Sequence, residues 1–119
     1  MSANARAFAI QAPSDTVWRL LRDEVQAGVE TGQARILHEE APRFLDLEVR
    51  MGRGLGVRYT YALHVRDAHT EVVATVAPFG LRYAVANIFA LGRGATPYLL
   101  AVTQGLANLK AAAEGVSEA

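Results

Sequence analysis

The chain has 119 residues, 51% of them hydrophobic, enough to bury one core without disulfide or metal support, so one domain over residues 1–119 is expected. Twelve Lys and Arg balance twelve Asp and Glu; with no net field to attract a phosphate backbone or an anionic membrane surface, nucleic acid is set aside as a main partner. The lack of cysteine removes disulfides, thiolate metal ligands and thiol nucleophiles, and no apolar run is long enough for a signal peptide or a spanning helix, so the expectation is a soluble cytoplasmic protein without stable membrane insertion.

From Arg6 to Gln11 the apolar residues alternate, Phe8 and Ile10 sharing a face, which predicts a short strand that Pro13 stops. Ser14 is the expected cap of the helix that follows, with Asp15 in its first turn; Val17, Trp18, Leu20, Leu21 and Val25 form its apolar face, and the helix ends before Gly32. Ala34 to Glu40 is the next strand, irregular in pattern, in which His38 shares parity with Ile36 and is expected to look inward. The clearest period follows: Leu45, Leu47, Val49 and Met51 alternate with Phe44, Asp46, Glu48 and Arg50. Across the turn "GRG" at 52–54, Leu55, Val57, Tyr59, Tyr61, Leu63 and Val65 alternate with Arg58, Thr60, Ala62, His64 and Arg66, a long hairpin on whose outer face Glu48 can pair with Arg58.

"RDAHT" at 66–70 makes another turn, and Glu71 to Phe79 reads as a strand whose regular part Pro78 ends. Beyond Gly80 the period becomes helical through Leu81, Ala84, Val85, Ile88 and Phe89, until "GRG" at 92–94. Thr96 with Pro97 opens a long last helix with Tyr98, Leu99, Val102, Leu106, Leu109 and Ala113 on one stripe, and Gly115 can end it. Gly105 in its middle costs about 1 kcal/mol relative to alanine, which suggests close packing or a bend at that point.

Few residues suggest covalent or metal chemistry. His38, His64 and His69 form no HxxxH or HxH pair, so no metal site and no cofactor is expected. "GRGLG" at 52–56 leads from strand to strand rather than from strand to helix, which rules against a phosphate-binding loop. Neither Ser14 nor Ser117 sits in a nucleophile elbow, and the paired carboxylates Glu39, Glu40, Asp46 and Glu48 fit solvated strand faces. No catalytic residue is therefore assigned. What remains is aromatic: Tyr59 and Tyr61 share the inward face of the longest strand, where phenols fill a core or orient a small amphipathic ligand.

The order of elements resembles the SRPBCC superfamily, the helix-grip fold of START-type lipid-transfer domains, pollen-allergen-like proteins and polyketide cyclase-like proteins. The likeness rests on Ala12, Pro13, Val17 and Trp18 at the first junction, "EEAPRFL" at 39–45, Thr70 opening the last strand, and Leu106, Leu109, Lys110 and Glu114 in the last helix. It implies an α+β fold, a curved antiparallel sheet wrapped around the C-terminal helix; the periodicity counts roughly five or six strands, fewer than is usual for the superfamily. It further implies a small hydrophobic molecule held between sheet and helix, with Trp18, Tyr59, Tyr61, Tyr98, Val102 and Leu106 as the expected contacts. A non-catalytic carrier is the favoured reading. One alternative is a cyclase- or hydratase-type enzyme in which Tyr59, Tyr61 or His38 supplies a proton; another is an interaction module with a filled core that binds a partner through "LRYAVANIFALG" or pairs as a homodimer across a sheet edge.

Overall fold

The computed structural model describes residues 5–89 and 94–118, the last three by their backbone alone. Alternation and helical spacing resolve into eight elements: β1 (Ala5–Ile10), α1 (Ser14–Glu30), β2 (Ala34–Glu40), β3 (Phe44–Gly52), β4 (Leu55–Val65), β5 (Thr70–Phe79), α2 (Leu81–Phe89) and α3 (Thr96–Glu118). The five strands form one antiparallel sheet in the order β1-β5-β4-β3-β2. Because β1 and β2 are opposite edges, the helix that joins them must cross the sheet. The 17 residues of α1 span about 25 Å, against about 19 Å for four strand spacings, so the helix bridges the sheet without strain.

The hairpin places Leu47, Tyr59 and Val76 side by side on three neighbouring strands, and Leu45, Tyr61 and Ala74 in the next row. This inner face meets Val17, Trp18 and Leu21 of α1 and Leu99, Val102, Leu106, Leu109 and Ala113 of α3 in one core. The helix α3 lies chiefly over β1 and β5 and against α1, which leaves the β2–β3–β4 half of the sheet covered mainly by α1. That asymmetry positions the site described below.

Several local expectations change. Ser14 is already helical and makes no side-chain cap; Pro13 takes the capping position in extended conformation, and its carbonyl accepts the first helical N–H, from Val17. The strand β5 continues through Pro78, opposite Val57; among the described residues its pairing with β1 reaches only to Ala5–Thr75, so the proline, which has no N–H, meets a described strand neighbour on the β4 side alone. At the other end, α3 runs past Gly115 to Glu118, held by contacts of its own last turns: the Gln11 N–H donates to the Glu114 carboxylate at 2.9 Å, while Lys110 Nζ bonds the Ala9 carbonyl and Glu114. Thr70, buried, donates its hydroxyl proton to the Ala12 carbonyl at 2.8 Å and ties the start of β5 to the β1–α1 junction.

On the outer face, Glu48 stands opposite Arg58 in register, yet Arg58 instead grips Asp46 with two guanidinium nitrogens, and Glu48 takes Arg35 at 2.8 Å. The fork geometry of arginine explains the choice, since the diagonal Asp46 presents both carboxylate oxygens and is buried there with Thr60 as a third partner. The Arg58 hydrogen bonds hold the Asp46 carboxyl below the usual carboxylate range. His38 also faces this side. A bulge between Ile36 and His38 sets two steps of β2 against one of β3, so parity reverses at Leu37 and His38 lands opposite Asp46, bonded to Glu40 at 3.0 Å and exposed to solvent.

Candidate functional site

A cleft of about 250 Å³ opens where α1 and α3 diverge over β2, β3 and β4. It has room for roughly eight waters' share of liquid volume, below the range of drug-sized pockets, and so suits a small guest. The floor is Leu47 and Val49 of β3 with Tyr59 and Tyr61 of β4; Leu21, Val25 and Gly28 of α1 form one wall, and Ala101, Val102, Gly105 and Leu106 of α3 the other. Glu24 and Gln33, both exposed, supply polar groups to the lining.

Small residues on both helices shape the cleft. A Cβ on Gly28 would lie 3.0 Å from the Ala34 Cβ, so this glycine allows α1 to approach β2 closely. Gly105 differs: a Cβ there would meet no heavy atom within 4 Å. Of the two expected reasons for a mid-helix glycine, close packing and a bend, close packing is replaced by its opposite, since the missing side chain leaves the cleft open.

Tyr59 and Tyr61, two apart on the pleat, stack with ring centroids 6.4 Å apart and planes at 15°. Burial pushes both phenols up, Tyr61 the more strongly, with smaller contributions from Tyr98 on Tyr59 and from Tyr59 and Glu24 on Tyr61. Both stay neutral across the physiological range, keeping an O–H donor and a lone-pair acceptor. Among the described residues neither hydroxyl bonds a protein group, and no fully buried side-chain polar atom lacks a partner. The two hydroxyls therefore keep some access to water, which spares a half-buried phenol the penalty of an unmade hydrogen bond.

Of the residues expected to contact a ligand, the fold brings Tyr59, Tyr61, Val102 and Leu106 together in the lining. Trp18 and Tyr98 stand apart from it. Trp18 lies one turn before Leu21 on α1 and is buried in the core. Tyr98 is on the first turn of α3 with its ring edge-on to Tyr83 of α2, centroids 6.4 Å apart. Gly28, Gly105 and Ala101 were not foreseen as part of the site; small residues at helical spacing on two facing helices were the available signal. A second hollow, about 330 Å³, lies between the β1–α1 junction and the β4–β5 turn, but turn residues such as Gln11, Asp67 and His69 line much of it, in place of opposed apolar faces.

No protein-family model matches the chain, and no curated protein matches it by sequence. Solved structures do. CalU16 from Micromonospora echinospora is 16% identical, with a TM-score of 0.52 over 91% of this chain and 85% of that one. DR_A0006 from Deinococcus radiodurans is 11% identical, with a TM-score of 0.49 over 64% of this chain and 81% of that one. Ara h 8.0201 is 10% identical, with a TM-score of 0.41 over 82% and 96%. Taken with the strand order and the long C-terminal helix packed against the sheet, the CalU16 likeness identifies the architecture: the chain has a helix-grip fold.

Proposed function

We propose that the chain binds a small hydrophobic or amphipathic molecule in the cleft between α1, α3 and the sheet, and does so without converting it. The observation that carries this reading is the pair of stacked, neutral phenols that lines an apolar cleft and bonds no protein group among the described residues. Val102 and Leu106 contribute apolar surface, Tyr59 and Tyr61 orient a hydroxyl or carbonyl of the guest, and Glu24 and Gln33 are placed to meet a polar end. Such an arrangement recognises without activating. A phenol pushed above its ordinary range is a poorer proton donor, and His38, the base that a cyclase or hydratase reading would use, points away from the cleft to Glu40.

Isothermal titration calorimetry with naphthols, short-chain quinones and medium-chain fatty acids tests the proposal. Saturable binding with a negative heat-capacity change is expected for at least one class, and Tyr61→Phe is expected to weaken the hydroxylated guests selectively. No heat from any class, together with unchanged melting at saturating concentrations, would reject it.

A further inference from the structure

The helix α2 is turned inside out. Leu81, Val85, Ile88 and Phe89 fall at i, i+4, i+7 and i+8, the stripe that ordinarily faces a core, yet they are 78, 47, 73 and 84% exposed. The face that meets the protein is the other one: Tyr83 packs edge-on against Tyr98, and Asn87 Oδ1 accepts the Gly94 N–H at 2.8 Å. Exposed Phe79, just before the helix, extends the apolar surface.

The charge around this stripe has one sign. Between Glu48 and Asp67, and again between Glu71 and Glu114, the sequence holds no acidic residue, so the zero net charge of the whole chain hides a local excess. The Arg82 backbone N–H donates to the Gly54 carbonyl, and its guanidinium lies over the turn after β3, whose neighbours Arg50 and Arg53 are also exposed. Among the described residues none of Arg50, Arg53 and Arg82 makes an ion pair.

We infer that α2 and the β3–β4 turn dock on an anionic lipid bilayer, the Leu81–Phe89 stripe entering the interface and Arg50, Arg53 and Arg82 meeting the headgroups. An apolar stripe flanked by arginine is the composition of an interfacial helix. A second copy of the chain suits the patch less well, because a two-fold contact would bring the arginines of both copies together with no carboxylate in either patch to face them. Among the described residues no helix is long and apolar enough to cross a membrane, so the contact is one of docking at the surface. The inference rests on α2 and its surroundings and is independent of what the cleft holds.

Vesicle sedimentation of the full chain decides it. Phosphatidylcholine vesicles with about a third phosphatidylserine should bind the protein, pure phosphatidylcholine vesicles far less, and high salt should weaken the difference. Each basic side chain near such a surface is worth about five-fold in partition, so Arg53→Gln with Arg82→Gln should lower binding about 25-fold, and Ile88→Ser with Phe89→Ser at least ten-fold. Melting temperatures should stay at the wild-type value, since these side chains are exposed; if the α2 variant unfolds, Arg53→Gln alone, on the turn, still tests the dependence on anionic lipid. Equal binding to both vesicle types, no binding to either, or a dimer in light scattering that Phe89→Ser dissociates in the absence of lipid would overturn the inference.

Discussion

Replacing Gly105 by alanine and by leucine probes the cleft from its helical wall. Glycine in a helix interior costs about 1 kcal/mol relative to alanine, and a Cβ at 105 would meet nothing within 4 Å. Gly105→Ala should therefore stabilise the fold by about 1 kcal/mol, which for a chain of this size raises the melting temperature by about 4 °C. Gly105→Leu adds a branched side chain that enters the cleft. Fully burying a leucine is worth about 1.5–3 kcal/mol, and about half of that in an open cleft brings the total gain to about 2 kcal/mol. The two variants should part company in calorimetric titration: Gly105→Ala retains the guest found for the wild type, whereas Gly105→Leu loses at least about ten-fold in affinity by occupying its place. Melting and titration together are decisive. If Gly105→Leu is destabilised, the space beside α3 is closed and overpacking, typically about 1–3 kcal/mol, dominates; if it is stabilised and still binds the guest unchanged, the guest lies elsewhere.

Tyr61→Phe should cost a hydroxylated guest about 1 kcal/mol, about five-fold in Kd, while leaving a guest without polar groups unaffected, as calorimetry can compare directly. Thr70→Val removes the hydroxyl that satisfies the buried Ala12 carbonyl and should lower stability by about 1–2 kcal/mol in urea denaturation. Asp46 has its pKa lowered in the fold by Arg58, so its contribution is present above the ordinary carboxylate pKa and lost as pH falls through the lowered value; the wild type should lose stability below about pH 4, and Asp46→Asn should flatten that part of the profile. The Gln11 N–H lowers the Glu114 carboxyl in the same sense, and Glu114→Gln should speed hydrogen exchange at the Gln11 amide while leaving exchange in β4 unchanged.

Much of this architecture can be read from spacing alone. The period of two from Phe44 to Val65 yields the β3–β4 hairpin and puts Tyr59 and Tyr61 on the inner face, and the period near 3.6 yields the α3 stripe through Val102 and Leu106. Where reading fails, a cause outside the periodicity is visible. Parity predicts an inward His38, but one extra residue at Leu37 reverses it, and nothing in "ARILHEE" announces a bulge. Periodicity finds the apolar stripe of α2 but is silent on which face packs; Tyr83 and Asn87 decide that through contacts with Tyr98 and Gly94, remote from the helix's own pattern. Trp18 and Leu21 belong to one stripe, yet only Leu21 reaches the cleft, because the gap between α1 and α3 opens over the β2–β3–β4 half of the sheet only. Gly105 signals a constraint whose sign depends on what stands opposite, and only the fold supplies that.

Binding in the cleft seats the guest against the tyrosine pair beneath α3. Intermolecular nuclear Overhauser effects, recorded with methyl- and tyrosine-labelled protein and the best guest from the calorimetric panel, address this directly. Contacts from the guest to the Tyr59 and Tyr61 rings and to the Val102 and Leu106 methyls are predicted. Contacts confined to Leu81, Ile88 and Phe89, or to residues around Asp67 and His69, would contradict it.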